Sequence, residues 1–575
     1  MDKKEVAKIL EQIGQILEIK GENPFKARAY YNAARVLETL EGNLEVLVES
    51  GEIADIKGFG KALSTKISNL VQTGRLPYYE ELKTSLPNGL IDLLNIPGLG
   101  PKKVKIIYDK LNISTIGELE YACRENRLRD LEGFGQRSQD KILHSIELYK
   151  KYRERFLYPV AQAEANILIE YLRKNKKFTR IDITGSLRRR RETIKDIDLV
   201  ASCLDKDRAE LMDYYVHFTN SESIISLGKT KSSIILNSGL NSDLRIVSEE
   251  EYPFALHHFT GSREHNTAMR SLAKTMDMKM NEYGLYHNEK KIICKDETEI
   301  FKSLGLQYIP PELRENMGEI DAARKGEIPD LYDGDPLYGL FHIHTNYSDG
   351  ANSIREIGEA GMEMGFQYIG ICDHSKSAFY AHGLNEKRVL EQHDEINMFN
   401  SQFKNFKILK GIEVDILSDG TLDYSDSFLT KFDFVIASVH SNFNLDREKM
   451  TERIIHALKN PYVTMLGHPT GRLLLGREPY ALDMEKVIEA SGNLKKVIEI
   501  NSSPYRLDLD WRWGKYAKSK GVKTALNPDA HSIDELSDYH YGIGIAKKGW
   551  FEKQDILNSY TATEIDYYFK EARVK

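Results

Sequence analysis

From residue 338 to the end of the chain, short apolar runs alternate with helical patterns, and run after run stops on a histidine or a carboxylate. The runs are YIGICDH, FKILKGIEVDI, FDFVIASVH, VTMLGHP, KVIEINSS and VKTALNPDAH. Strand-like runs separated by helical periodicity predict parallel strands joined by crossover helices, and hence a distorted (β/α) barrel. Barrels of this kind build their sites at the C-terminal strand ends. The polar residues fall there: His342, His344 and Asp349 in FHIHTNYSDG, His374 in ICDH, Glu413 in GIEVD, His440 in ASVH, His468 in GHP, and Asp529 and His531 in NPDAH. A lone histidine in such a place is ordinarily a satisfied core residue. Nine imidazoles and carboxylates exceed what one ion needs, so a cluster of two or three ions is expected. Imidazole-rich ligation favours Mn²⁺ or Zn²⁺ over Mg²⁺. Metal-assisted cleavage of a phosphoester is the implied chemistry, with Arg472 in GHPTGR expected to neutralise developing charge.

At 575 residues the chain is too long for one core, and the part before residue 338 follows other rules. One short pattern occurs three times in the first 150 residues: IKGFGKA with Gly58 and Gly60, IPGLGPK with Gly98 and Gly100, and LEGFGQR with Gly133 and Gly135. An apolar residue and Gly-x-Gly between two helical stretches predicts a helix-hairpin-helix, whose exposed backbone N–H groups can take a phosphate without reading sequence. The net charge of −7 would argue against nucleic acid if charge were evenly spread. It is not: between Arg173 and Lys195 ten basic residues stand against Asp182 and Glu192. Binding to phosphates depends on local potential, so this stripe is expected to face DNA. The charged N-terminus and the absence of a long apolar stretch predict neither a signal peptide nor a membrane span. Four widely spaced cysteines fit a reducing cytoplasm, with nucleoid association expected.

The stripe ends in a second chemical motif. GSLRRRRETIKDIDLV puts Asp196 and Asp198 two apart on a strand, so both carboxylates share a face. Asp243 lies on another predicted strand, in SDLRIV. Three carboxylates on neighbouring strands can hold two Mg²⁺ (or Mn²⁺) ions about 3.5–4 Å apart. Gly185, Ser186 and Arg189 are placed to take a triphosphate through backbone N–H, hydroxyl and guanidinium groups. The runs TRIDITGS, DIDLVAS, SSIILNS and SDLRIVS predict one antiparallel or mixed sheet, followed by a mixed helical segment from about Ser262 to Leu313.

GS-x-RR…DID, the later DLR, and ALHHFTGSREHNTAMR resemble the palm of family X DNA polymerases. The resemblance implies metal binding by Asp196, Asp198 and Asp243, and triphosphate contacts from Ser186 and Arg189. It places His258, Phe259, Gly261 and Asn266 around the incoming sugar and base. Relative to animal polymerase beta, His258 stands in place of a Tyr, Arg263 of an Asp, Asn241 of an Arg, and Lys195 of a Gly. NPFKARAYYNAARVLETL with IKGFGKALSTKISNL is similar to the family's small DNA-binding domain, and Lys66 matches the Schiff-base lysine of its lyase-active members. The barrel motifs resemble the PHP (polymerase and histidinol phosphatase) domain, implying a 3′→5′ exonuclease, with endonuclease action at abasic sites as a further possibility.

The expected architecture is therefore multidomain α/β: a helical DNA-binding, lyase-like domain (1–85), a second helix-hairpin-helix domain (86–150), a nucleotidyltransferase palm (151–260), a thumb (261–320), a linker (321–337) and a PHP domain (338–575). The expected function is gap filling in base excision repair by a monomer acting on gapped or nicked duplex DNA and dNTPs. Two other readings are a small-molecule phosphatase carrying a degenerate polymerase and a non-catalytic DNA-bridging scaffold.

Overall fold

The computed structural model describes residues 1–575 apart from 2, 39, 41–43, 55, 57, 88, 125–127, 129–130, 132, 154, 476–477 and 575. The chain forms two compact units, Met1–Glu154 and Arg155–Lys575.

The first unit is helical. Val6, Leu10, Ile13 and Leu17 recur at helical spacing along Lys3–Ile19 and bury against Pro24–Glu38. A second small core gathers Leu93, Val104, Ile107, Leu119 and Ile142. In each Gly-x-Gly repeat the first glycine is left-handed: Gly58 at φ 104°, Gly98 at 89° and Gly133 at 80°. A Cβ resists that conformation, which is why glycine recurs there. Gly60 and Gly100 then cap the N-termini of Lys61–Thr73 and Pro101–Leu111, and Gly135 precedes the helix Gln136–Arg153.

The second unit opens with a mixed sheet of β1 (Arg180–Ile183), β2 (Asp196–Ser202), β3 (Ser221–Leu227), β4 (Lys231–Leu236) and β5 (Asn241–Val247), in the order β1-β2-β5-β4-β3. Only β2 and β5 run parallel, and their register sets Asp198 directly beside Asp243. Leu168 and Leu172 of the helix Tyr158–Arg173 cover the sheet together with Tyr215. The edge strand β3 gave no sequence signal, because its residues from Glu222 onward are exposed on both faces and show no alternation.

The segment expected to be mixed helical contains a three-stranded antiparallel sheet, β6 (Met278–Asn281), β7 (Gly284–His287) and β8 (Lys290–Ile292). Between β7 and β8, Asn288 and Glu289 both adopt positive φ, 47° and 65°. That is the geometry of a type I′ hairpin turn, normally announced by Asn-Gly. With glutamate in the second place the turn is hidden from a sequence reading. The stretch expected as a linker is packed: the helix Glu319–Lys325 crosses its start, and Tyr332 sits in the barrel core.

The barrel consists of β9 (Gly339–Ile343), β10 (Tyr368–Ile371), β11 (Lys407–Lys410), β12 (Glu413–Asp415), β13 (Ile436–Ser438), β14 (Met465–Leu466), β15 (Val497–Asn501) and β16 (Thr524–Asn527). β9-β10-β11 and β12-β13-β14-β15-β16 pair in parallel throughout. Parallel bridges from His374 to Glu413 and from Ile343 to Ala530 link the two arcs. No helix among the described residues is long and apolar enough to cross a membrane.

Candidate active sites

At the C-terminal strand ends of the barrel the nine expected ligands meet. Four overlapping groups have their ligand atoms within 4.8 Å of one another: His344, Asp349, His374 and His531; His342, Glu413 and His468; His342, His344 and Asp529; and His374, Glu413 and His440. Glu413, buried at the centre, is 3.3 Å from His342, 3.0 Å from His468, 3.2 Å from His440 and 2.8 Å from His374. Asp529 joins His342 and His344 at 3.4 and 3.2 Å. Three of these ligands, His342 (φ 57°), His468 (φ 21°) and Asp529 (φ 55°), hold left-handed backbone. Such strain persists only where the surroundings over-determine it.

The donor set fits divalent cations on two independent grounds. His342 Nε2, both ring nitrogens of His344, His468 Nδ1 and Glu413 Oε2 are buried and lack hydrogen-bond partners among the described residues. Leaving so many buried polar atoms unsatisfied is costly unless something binds them. Burial, and then the neighbouring His531 and His374 rings, push His344 down to about 3, so its ring stays in the neutral form that ligates. At His342, His374, His440 and His531 burial acts the same way but the neighbouring carboxylates outweigh it and raise the pKa, so a cation entering there displaces protons. Around the cluster lies a supporting layer that the sequence reading missed. Glu499 Oε2 holds His342 Nδ1 at 2.6 Å, and Asp415 Oδ1 holds His440 Nδ1 at 2.5 Å. Each fixes a ring so that its Nε2 turns toward Glu413. A buried glutamate inside the apolar run KVIEI is the signal that could have revealed Glu499.

In the palm, Asp196 and Asp198 project beside Asp243. Asp198 is pushed up to about 7 by burial, then by Asp196 and Asp243, and Asp196 is raised by burial and by Asp243. Three crowded carboxylates repel, and an all-oxygen donor set suits Mg²⁺, which would relieve that repulsion. The triad does not converge into a group as tight as those in the barrel. Instead Asp243 binds Lys231 at 2.5 Å and accepts from Ser233 at 2.5 Å. Gly185, at φ 63°, packs so closely on Asp198 that a Cβ would run into the carboxylate. Ser186 is half-buried next to it.

Two arginines expected at the sites are committed elsewhere. Arg189 is buried, donating to Glu315 at 3.0 Å and to the Thr260 carbonyl at 2.8 Å, rather than reaching toward a triphosphate. Arg472 is buried against Asp510 at 2.6 Å and the Arg506 carbonyl at 2.9 Å, rather than facing the cluster. Arg506 is the guanidinium at the cluster, 3.4 Å from Asp529. The arginine run is likewise no free phosphate patch: Arg188 pairs with Glu297 at 2.6 Å, Arg190 with Glu312 at 3.8 Å and Arg191 with Glu315 at 3.6 Å.

Asn266 donates to the carbonyls of His258 (2.6 Å) and Gly261 (3.2 Å), fixing the turn between the helices Tyr252–Thr260 and Arg263–Thr275. A Cβ at Gly261 would collide with Asn266 Oδ1 at 2.6 Å. Phe259 lies under the Arg245 guanidinium, 4.3 Å from its ring centroid. In the first unit, Lys66 donates to the Tyr30 hydroxyl at 2.6 Å and lies 4.3 Å from the Tyr78 ring centroid. Burial, and then Lys26, lower its pKa.

Four family models match parts of the chain: a helix-hairpin-helix domain over residues 1–76, a SAM-like helix-hairpin-helix tandem over 90–147, the DNA polymerase beta thumb over 255–315 and the PHP domain over 341–503. The chain is 38% identical over 574 residues to the DNA polymerase/3′-5′ exonuclease PolX of Bacillus subtilis (strain 168), covering 99% of this chain and 100% of that relative. A probable phosphatase of Thermoanaerobacter sp. (strain X514) is 33% identical over 249 residues, 41% of this chain and 95% of its own length. The solved Leishmania infantum polymerase beta, a ternary P/T complex, matches 39% of this chain and 96% of its own at 21% identity and a TM-score of 0.27.

Proposed function

We propose, since the chain belongs to the family X DNA polymerases that carry a PHP domain, that it adds deoxynucleotides at short gaps in duplex DNA and trims 3′ ends at a second site. The observation that carries this reading is the presence, in one chain, of a parallel-paired Asp198–Asp243 site and a separate cage of nine imidazole and carboxylate ligands. In the palm, Asp196, Asp198 and Asp243 would hold Mg²⁺ or Mn²⁺, with Gly185 and Ser186 alongside. In the barrel the nine ligands would hold Mn²⁺ or Zn²⁺, with Arg506 beside Asp529 to meet phosphate charge. Bound ions supply Lewis acidity at both sites. The chain's own part is to fix the carboxylates in register, to keep the His344 ring neutral and to orient the His342 and His440 rings.

The finer partition into lyase-like, fingers, palm, thumb and PHP domains belongs to the same proposal. So do action in base excision repair at the nucleoid and incision at abasic sites. The test is a one-nucleotide gapped duplex on which primer extension and 3′ trimming are followed separately, with dNTP present or withheld. The reading expects both reactions on the same preparation. Trimming without extension would favour a phosphoesterase carrying an inactive palm, and neither reaction would favour a DNA-bridging scaffold.

A second activity rests on Lys66. A Schiff-base lysine must be neutral, and burial next to another cation is how a protein achieves that. Lys66 has both. We propose that it removes a 5′-deoxyribose phosphate: the amine adds to the C1′ aldehyde, water leaves, and β-elimination releases the DNA 5′-phosphate. Borohydride should trap a covalent protein–DNA adduct that Lys66→Ala abolishes while extension on a clean gap persists. Persistent trapping in that variant would assign the chemistry elsewhere.

A further inference from the structure

The segment Gly185–Lys195, which leads into Asp196 and Asp198, is shaped largely by residues outside the palm. It contains two left-handed positions, Gly185 and the non-glycine Arg190 at φ 53°. Its turn closes where Arg191 N–H donates to the Ser186 carbonyl at 3.0 Å. Backbone strain at Arg190 needs outside support. The support comes from the barrel domain. Lys548, at the end of the helix Tyr539–Lys548, is completely buried, and its ammonium donates to the Arg189 carbonyl at 2.9 Å, to Glu315 at 2.8 Å and to the Glu312 carbonyl at 3.3 Å. The same ammonium lies 4.3 Å from the Trp511 ring centroid. A buried cation is tolerated only when all its hydrogens are satisfied, and this one has a partner for each. The Arg189 carbonyl belongs to the peptide unit immediately before the strained residue. The same helix packs on the Arg190 side chain, where a Cβ on Gly544 would come within 2.9 Å of its Cδ.

The other end of the turn is anchored from the barrel as well. Glu192 is buried 3.5 Å from Arg512 and 3.8 Å from Arg472, and both arginines share Asp510 at 2.6 Å. Beyond it, Arg155 holds Thr193 by its hydroxyl at 2.8 Å and its carbonyl at 2.6 Å. Because Gly185 packs directly on the Asp198 carboxylate, a shift of the turn would be felt at the metal-binding face.

We propose that the barrel domain is a structural part of the nucleotide-addition site: Lys548 and the Arg472–Arg512–Asp510 group are positioning residues for the turn that presents Gly185 and Ser186 to the incoming nucleotide. They act through the palm backbone and touch no substrate. This inference rests on the polymerase reading above.

The experiment uses the full chain and the one-nucleotide gapped duplex, measuring kcat and KM for dNTP, the 3′-trimming rate and retained metal. Lys548→Met removes one anchor, and Glu192→Gln loosens the other while keeping its shape, so one readable variant remains if the first fails to fold. The expected result is a KM for dNTP raised about tenfold or more, with a smaller change in kcat, because misplacement of a binding turn acts on substrate positioning. Trimming and retained metal should stay at wild-type levels. An unchanged KM in a folded variant would overturn the proposal, and so would a parallel loss of addition and trimming. If the wild-type chain trims but adds no nucleotide, the polymerase reading itself has failed, a result distinct from either of these.

Discussion

The barrel site is a closed cage of imidazoles and carboxylates and the palm site an open face of three carboxylates, although both are built on strands paired in parallel. In the barrel, ligand atoms already lie within 4.8 Å of one another, and Glu499 and Asp415 lock two of the rings from behind. In the palm, the parallel register brings Asp198 beside Asp243, yet Lys231 and Ser233 occupy the third carboxylate. The difference follows from where the remaining metal ligands come from. Mg²⁺ in phosphoryl-transfer sites is held by one or two carboxylates plus substrate phosphates, so the protein need not finish the cage. The barrel brings nine imidazoles and carboxylates of its own together, enough to hold ions between substrates while a position stays open for water or substrate. On the proposed reading, one site is completed by its substrate and the other holds its ions without it.

The largest effect that would break this comparison is cross-talk between the two chemistries. Asp198→Asn should lower nucleotide addition by roughly 10³-fold or more, the loss of several kcal/mol of charge stabilisation. It should leave 3′ trimming unchanged. His344→Ala should do the reverse. A folded protein in which either substitution silenced both reactions would refute two separate sites.

A smaller effect tests whether the layer behind the cage matters. Glu499→Gln keeps the shape but weakens the hold on His342 Nδ1. Loss of such a partner typically costs 10–100-fold in metal affinity, so competition with a chelator should show a drop of roughly that size. Nucleotide addition should not change.

An effect of similar size is expected at the sugar. Asn266 pins the His258 carbonyl at 2.6 Å, so exclusion of a 2′-hydroxyl can rest on the backbone or on the His258 side chain. Comparing dNTP with rNTP insertion, Asn266→Ala should erode discrimination more than His258→Tyr improves it, within a range of about 10–200-fold. The opposite ranking would make the imidazole the gate. The smallest effect concerns salt. The arginine run is consumed in ion pairs, so Arg190→Ala should leave the salt dependence of DNA affinity unaltered. Lys102→Ala, at the second hairpin, should reduce the log–log slope by about one.

Much of the barrel and its cage was legible because each ligand follows a strand-like run, and strand ends in such barrels converge whatever the loops do. The palm carboxylates were legible for the same local reason, since Asp196 and Asp198 sit two apart on a strand. What stayed hidden depended on distant partners. Arg189 looks like a phosphate ligand until Glu315, 126 residues away, claims it. Arg472 follows His468 by four positions, yet Asp510, 38 residues on, turns it away from the cluster. Arg506, in an irregular loop, had no pattern to announce it. Arginine is particularly prone to this misreading, because the same fork that fits a phosphate fits a carboxylate equally well.

The central claim, a complete cage beside a site completed by its substrate, is tested most directly by metal content after desalting, with no DNA or dNTP present. Wild type and Asp198→Asn should retain the same number of tightly held ions per chain, and Glu413→Gln, which loses the carboxylate shared by five histidines, should retain fewer. If Asp198→Asn lost ions and Glu413→Gln kept them, the assignment of cage and open site would be the wrong way round.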